Sequence, residues 1–551
     1  MVPVWYKSWP KGIPRKMACP EVTLPEMVKK LARQIPRREA VNFYGKSISY
    51  AQLERMVASF AASLLQLGIG RGDRVCLFMQ NCPQYIIALL AVWWIGAVAV
   101  TANPMFREGE LAYQLNDSGA ETVILLDVLY PVLRRILRKT RVRNVIITGY
   151  KDFLPEKPEL PLHPSLKVPR QFFPGTMEMM ELLDCHSEPP AVNLDPQKDL
   201  ALLQYSSGIT GKPKGAMITH ANMLFNTACS ALWLKAKDGI HLAVLPLFHV
   251  TGLVHCMNMP LFTGGTIILL ARYDTETVLQ AIERYRCTHW VSVAGMNFAV
   301  VNYPKVKKYD LSSLKVCVSG GVPIPPEVIR KFKEITGIQL VEGYGLSETI
   351  SQVAVNPLDK PRPGSVGIPV ISTEVKIVDL SDPSREVPPG EMGELMVRGP
   401  QVTRGYWNRP EETALLIKDG WLATGDIARM DVDGYIYILG RKNELIKVAG
   451  HSVFPQEVER YLGNHPAIAE VAVVGTPDPF WGEIVKAYVV LKREFENRIS
   501  EIDIISWARQ KMPLYKYPRV VEFRRELPKN GDGKILRRIL AAESYCNLAG
   551  I

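Results

Sequence analysis

The sequence predicts an α/β protein. A large N-terminal domain of several subdomains is built from mostly parallel sheets with helices and a small β-barrel-like part, and a small α+β C-terminal domain follows. Three observations predict it. Strand-period and helix-period segments alternate through most of the chain, as expected for parallel sheets covered by helices. After about Pro363 the texture changes to short strands with tight turns, TEVKIVD, GELMVRG and DGYIYILGR, the last with an Asp433-Gly434 hairpin signal. Past Arg441 comes a stretch long enough for a small independent domain. At 551 residues the chain exceeds one hydrophobic core, so several domains are expected, here 1–440 and 441–551.

The elements follow in order. SYAQLERMVASFAASLLQLG (Ser49–Gly68) has helical periodicity, and RVCLFM, TVILLD, NVIIT, GTIILL and LKVCVSG read as strands. YIIALLAVWWIGAVAVTA (Tyr85–Ala102) is long enough to raise a membrane span. Gly96 splits it, and its second half is small and β-branched, so a buried helix to about Ile95 and a core strand AVAVTA are the favoured reading. RRILRKTRVR (Arg134–Arg143) reads as a solvated helix face. The Pro-rich stretch Leu154–Pro190 reads as a surface excursion linking two sheets. The C-terminal unit is expected to hold helices near Gln456–Asn464 and Ser500–Arg509, strands AEVAVVG and VKAYVVL, and a basic tail.

Composition excludes more than it selects. Apolar content of 47% and charged content of 22% are ordinary for a globular protein. Lys and Arg exceed Asp and Glu by 66 − 55 = +11, which suits anionic substrates and leaves room for a weak peripheral membrane contact. No basic repeat interleaved with aromatics points to nucleic acid. Nine dispersed cysteines without a C-x-x-C pair, and an N-terminus without an apolar signal core, lead to the expectation of reduced thiols in the cytoplasm and no cysteine metal site.

The chemistry begins at YSSGITGKPKG (Tyr205–Gly215), a Gly-, Ser- and Lys-rich loop after the apolar ALLQY. It is not the phosphate loop of P-loop NTPases. The position five after Gly208 is Pro213, and Gly211-Lys212 is followed by that proline. Free backbone N–H groups, hydroxyls and lysines remain, which suit a nest for an anion.

With LPLFHVTG (Leu245–Gly252), SGGVPIP (Ser319–Pro325), EGYGLSE (Glu342–Glu348), GELMVRGP (Gly393–Pro400), GWLATGDIA (Gly420–Ala428), GRKNELIKVAG (Gly440–Gly450) and PKNGDGKILRR (Pro528–Arg538), this loop resembles the adenylate-forming superfamily of acyl-CoA synthetases, aryl-CoA ligases, luciferases and peptide-synthetase adenylation domains. The resemblance covers nearly the whole chain. It implies ATP, Mg2+ and coenzyme A, a small-molecule carboxylic acid, an acyl-adenylate intermediate, and a mobile C-terminal domain that turns between two half-reactions. It leaves room for a homodimer.

The resemblance also implies roles. Ser206, Ser207, Gly208, Thr210, Gly211 and Lys214 would hold the β- and γ-phosphates, although Ile209 stands where the family usually has Thr and Ser206 replaces another. Glu348 would bind Mg2+ and Ser347 the α-phosphate. Gly321, Val322 and Pro323, with Glu342, Gly343, Tyr344 and Gly345, would form the adenine pocket. Asp426 and Arg441 would take the ribose. Lys534 would be the adenylation lysine, stabilising charge that builds in the transition state. Asn443 stands where the family has a hinge Asp or Lys, and Lys447 and Gly450 would border the thioester site. His249, Val250, Gly252, Ala294 and Gly295 would line the acyl pocket.

Amino-acid-activating members of the family this chain resembles carry an Asp in this region to pair with the substrate ammonium; FHVTG offers none, so amino acids are disfavoured. WVSVAGMNFAVV (Trp290–Val301) resembles the family's acyl-pocket wall, and with small Ser292, Ala294 and Gly295 there the resemblance implies a medium or long aliphatic chain, with an aryl acid open. Nothing after Leu540 resembles a carrier domain, so free coenzyme A is the expected acceptor. Ligation to a carrier protein, a luciferase-like oxygenase and a non-catalytic nucleotide-binding scaffold are the competing readings.

Overall fold

Strands rich in Val, Ile and Leu form two large sheets in the computed structural model, which describes residues 2–184, 189, 192–205, 212–449, 451–529 and 535–546. The first has nine strands, ordered Ile368–Pro369, Ser351–Val355, Leu340–Leu346, Val316–Gly320, His289–Val293, Ile240–Ala243, Thr266–Leu269, Glu39–Phe43 and Lys46–Ser49. From Leu340–Leu346 across to Glu39–Phe43 all neighbours are parallel. The strands beyond them are antiparallel. The second has seven, ordered Met177–Glu178, Asn144–Thr148, Thr122–Leu126, Arg74–Phe78, Val98–Thr101, Leu200–Tyr205 and Gly215–Thr219, with only the last pair antiparallel. The α/β expectation of parallel sheets with helices therefore holds.

The apolar run beginning at Tyr85 splits as expected. Helix Pro83–Trp94 is buried almost throughout, Gly96 takes φ 72°, and Val98–Thr101 is a core strand. Among the described residues no helix is long and apolar enough to cross a membrane. Helix Tyr50–Gln66 starts where Ser49 accepts the Gln52 N–H and Gln52 answers from its side chain. The basic run is helical only to Ile136 and a short 3-10 turn at Leu137–Lys139, then leads into strand Asn144–Thr148, with most of its charges exposed.

The Pro-rich excursion needs correction. It does not link two sheets, because the strands on either side of it, Asn144–Thr148 and Leu200–Tyr205, both belong to the seven-stranded sheet. Within it Met177–Glu178 adds an edge strand beside Ile146 and Ile147. The buried Arg170 guanidinium meets Asp127 at 3.3 Å, Asp152 at 3.2 Å and also Glu178. Composition marks such a segment as superficial but carries no information about which sheet the next strand rejoins.

The short strands expected to be barrel-like make a five-stranded sheet. Glu374–Val378, Met392–Arg398, Trp421–Met430 and Ile417–Lys418 lie in that order, with Ile436–Arg441 also on Trp421–Met430. A fourth sheet, also of five strands, orders His451–Val453, Ile446–Val448, Gly482–Leu491 and Ile468–Asp478, with Val520–Phe523 on Gly482–Leu491. Helices Pro455–Leu462 and Glu501–Lys511 accompany it, close to their expected positions. The basic tail adds an unforeseen helix, Arg537–Cys546.

The chain forms two compact units. The larger holds Met1–Val375, Val397–Leu422 and Asp433–Ile436, and the smaller holds Lys376–Met396, Ala423–Val432 and Tyr437–Ile551. Cys76, Cys82, Cys229, Cys256, Cys287 and Cys317 are buried and unpaired, and Cys19 is half-buried. Burial pushes the thiols of Cys76, Cys82, Cys229 and Cys256 up to about 12, and those of Cys287 and Cys317 higher still.

Candidate active site

In the larger unit several of the motif segments follow one another along one edge of the nine-stranded sheet, while the glycine loop joins two strands of the seven-stranded one. Four neighbouring parallel strands end there, at Ala243, Val293, Gly320 and Leu346. The segments leaving them carry His249 and Gly252, then Ala294 and Gly295, then Gly321–Pro323, then Ser347 and Glu348. Ligands of open α/β sheets bind at the carboxyl ends of strands.

Gly321, at φ +86°, Val322 and Pro323 are exposed, and the adjacent Gly343 and Tyr344 are half-buried. Beneath them Glu342 is buried, its carboxylate accepting the N–H of Ile324 at 3.4 Å and of Gly364 at 2.9 Å. Desolvation raises its pKa. Glu342 therefore holds two loops from below, and the open backbone belongs to the glycines.

The Glu348 turn is sterically demanding. Ile350 takes φ 42° and Ser351 φ 94°, left-handed values uncommon for any side chain and costly for a β-branched one. A Cβ on Gly345 would overlap the Ser351 carbonyl. Thr349 Oγ accepts the Leu346 N–H at 3.1 Å and donates to the Ser351 carbonyl at 2.8 Å. Helix His220–Trp233 braces the turn, since Asn226 Nδ2 donates to the carbonyls of Thr349 at 2.8 Å and Gln352 at 3.1 Å.

One turn earlier on the same helix face, Asn222 Nδ2 donates to the carbonyls of Pro400 at 2.7 Å and Val402 at 3.1 Å. The segment after them lies along strand Gly215–Thr219. Met217 N–H donates to the Gly405 carbonyl at 2.8 Å and Trp407 N–H to the Gly215 carbonyl at 2.8 Å. Thr403 N–H donates to the Glu348 carbonyl at 2.7 Å, and the Tyr406 hydroxyl donates to Glu348 Oε1 at 2.7 Å. The Lys214 ammonium pairs with Glu412 and lies 5.2 Å from the centre of the Tyr406 ring. Both ends of the glycine loop are thus fixed: Tyr205 donates to Asp117 at 2.8 Å, and Pro213 accepts from the Tyr113 hydroxyl at 2.8 Å. Ser206, Ser207, Gly208, Ile209, Thr210 and Gly211 lie outside the described residues, as do Gly450 and Lys534.

His249 is half-buried just before a π-helix, Gly252–Asn258, with its ring 4.6 Å from that of Phe248. Val250 is buried, and a Cβ on Gly252 would strike the Pro246 carbonyl, so only glycine fits. Ala294 and Gly295 open helix Ala294–Val301 and are half-buried and exposed. Ser292 is fully buried and donates to Asn297 Oδ1 at 2.9 Å and the Val318 carbonyl at 3.1 Å, so it braces the wall rather than leaving depth in it.

In the smaller unit Asp426 is buried and paired with Arg441 Nε at 2.8 Å, and Arg441 also donates to the Thr424 carbonyl at 3.0 Å. The two expected ribose partners therefore meet. Glu394 accepts the Gly425 N–H at 3.2 Å and the Lys442 ammonium at 2.7 Å, beside Asn443 in the 3-10 turn Lys442–Glu444. Lys447 Nζ donates to Ser452 at 2.8 Å, across the hairpin from its own strand.

Sequence reasoning missed Asn222, Asn226, Thr403, Tyr406, Glu412 and Glu394. Glu394 lies inside the quoted GELMVRGP, which was a usable signal. The others are single polar residues whose partners are remote in the chain, and no spacing marks them.

The AMP-binding enzyme family matches residues 28–407, and the AMP-binding enzyme C-terminal domain matches 457–534. A long-chain-fatty-acid–CoA ligase of Bacillus subtilis is 39% identical over 555 residues, covering 98% of each chain. A feruloyl-CoA synthase of Amycolatopsis is 37% identical, covering 92% of this chain and 96% of its own. Among solved structures, the anthranilate CoA ligase AuaEII with anthranoyl-AMP has a TM-score of 0.84 at 26% identity, covering 96% of this chain and 98% of its own. A fatty acyl CoA synthetase of Mycobacterium tuberculosis has a TM-score of 0.72 at 28% identity, covering 95% and 98%.

Proposed function

The chain belongs to the AMP-binding enzymes, and from that membership we propose that it joins a long-chain fatty acid to coenzyme A with ATP, releasing AMP and pyrophosphate. The observation that carries the reading is the order of segments along the carboxyl edge of the nine-stranded sheet. Acyl-wall residues, glycine-lined backbone and the Glu348 turn leave neighbouring strands. The name of the Bacillus subtilis relative supports a long-chain acid, and each buried methylene would add about 0.8 kcal/mol to binding.

A carboxylate does not exchange its oxygen for a thiol unaided, because oxide is a hopeless leaving group. Attack of the acid on the α-phosphorus of ATP expels pyrophosphate and gives a mixed anhydride. Attack of the thiol on the acyl carbon then expels AMP. In this reading the glycine loop and Lys214 hold the outer phosphates, Ser347 the α-phosphate, Gly321–Pro323 and Gly343–Gly345 the base, and Asp426 with Arg441 the ribose. Lys534 stabilises the charge that grows on the α-phosphoryl oxygens. Asn443 is the hinge, and the domain boundary falls at 440/441.

Mg2+ fits the residues present. Glu348 offers a hard carboxylate whose Oε2 has no hydrogen bond among the described residues, and a single carboxylate suffices for an ion that keeps waters and phosphates as its other ligands. When bound, it neutralises charge on the phosphates. The cytoplasm is the proposed location.

AMP release measured for acids from acetate to stearate, with ferulate and anthranilate as aryl arms, tests the proposal. Coenzyme A-dependent AMP release that rises with chain length is expected. Release confined to the aryl acids moves the assignment to an aryl-CoA ligase, the reading the feruloyl-CoA synthase favours. Pyrophosphate release without coenzyme A-dependent AMP points to a carrier-protein acceptor.

A further inference from the structure

We propose that Tyr406 is the positioning residue for the Glu348 carboxylate, and that it thereby sets the Mg2+ affinity of the nucleotide site. The inference rests on the reading of Glu348 as the Mg2+ ligand.

A glutamate carries its carboxylate on three torsions, so an unsupported one pays rotamer entropy each time it takes up a metal. Carboxylates that ligate metals are generally hydrogen-bonded themselves, and those partners tune affinity. Glu348 is half-buried at the tip of its left-handed turn, and the Tyr406 hydroxyl donates to its Oε1 at 2.7 Å. That bond engages Oε1 and leaves Oε2 without a hydrogen bond among the described residues.

Tyr406 is itself held on every side. Its backbone bridges Ala216 beside strand Gly215–Thr219, and its N–H donates to Thr413 Oγ at 2.9 Å. Gly405 before it, at φ +120°, has no room for a Cβ against Thr413. The Lys214 ammonium over the ring adds a cation–π contact. One phenol therefore touches the phosphate-loop lysine from the seven-stranded sheet and the carboxylate from the nine-stranded one. A spacer with no functional role would need neither the hydroxyl nor its aim.

The test measures binding of α,β-methylene ATP by isothermal titration over a Mg2+ series, in the wild type and in Tyr406→Phe, Glu348→Gln and Glu348→Asp. Tyr406→Phe keeps the ring and removes one oxygen. It should raise the Mg2+ concentration for half-maximal binding about tenfold, leaving AMP binding in EDTA and the thermal midpoint at wild-type values. An unshifted Mg2+ midpoint, or an equal loss of AMP binding in EDTA, overturns the inference.

Glu348→Gln separates the two ideas. If it leaves the Mg2+ dependence untouched, the reading of Glu348 as ligand fails. If it abolishes the dependence while Tyr406→Phe is silent, only the role of Tyr406 fails. Should Tyr406→Phe not fold, Glu348→Asp carries the same expectation, because it keeps the charge but draws the carboxylate one methylene away from the phenol. An unshifted midpoint in that variant overturns the inference.

Discussion

Gly345 and Gly321 carry the same residue type for different physical reasons. A methyl group on Gly345 would overlap the Ser351 carbonyl, and that backbone is fixed by the strained Ile350–Ser351 turn. At Gly321 no atom of the described residues lies within 4 Å of where a Cβ would stand, so among them only the φ of +86° resists substitution. Gly345→Ala should cost about 2 kcal/mol or more through overpacking and abolish pyrophosphate exchange, since the displaced turn carries Glu348. Gly321→Ala should cost only about 1 kcal/mol and keep measurable exchange. Thermal midpoints and the exchange assay separate the two. In the sequence both are glycines in quoted motifs, and nothing in EGYGLSE or SGGVPIP tells a close approach from a backbone conformation. Tyr406 was less legible still, because its partner Glu348 lies 58 residues away.

Secondary elements were legible wherever periodicity and a breaker agreed. Gly96 between helix Pro83–Trp94 and strand Val98–Thr101 is the clearest case, and the Ser49 cap is another. Pairing is not legible, and the Pro-rich excursion, expected to link two sheets, returns to the sheet it left. In the sequence Arg537 and Arg538 belong to a basic tail, and nothing there marks them as the start of helix Arg537–Cys546. In the structure Arg537 reaches Glu459 at 2.6 Å and Glu444 at 3.4 Å, tying this helix to helix Pro455–Leu462 and to the turn after Arg441. All three side chains are largely buried, and desolvation already raises the Glu444 pKa. Arg537→Met leaves two carboxylates without their cation, so the smaller unit should lose about 3 kcal/mol, read as an earlier unfolding transition in denaturant. An unchanged transition would show that solvent compensates the pair.

At the scale of the whole molecule, the parallel sheets were legible in the alternation of strand and helix periods and the class of chemistry in motif order, while the bracing of the nine-stranded sheet against the seven-stranded one was not. The interior of the larger unit also fixes a pH response. Burial lowers the pKa of His220 and His255 from 6.5 to about 4 and that of His241 further, and neither ring nitrogen of His220 has a partner among the described residues. Between pH 6.5 and 4 the unfolded chain binds protons that the folded chain refuses. The stabilisation is full above the unfolded pKa and is lost as pH falls, by about 1.4 kcal/mol per pH unit for each such histidine. Thermal midpoints followed downward from pH 7 should therefore drop steeply, and His220→Leu should flatten the slope by about one proton. The sealed cysteines bear on how the enzyme can be watched at work. Six of the nine sulfhydryls are locked in the interior, so a chromogenic disulfide reagent added to native protein would leave those six silent while it counts the cosubstrate's mercaptan, with half-buried Cys19 as the accessible exception among the described residues.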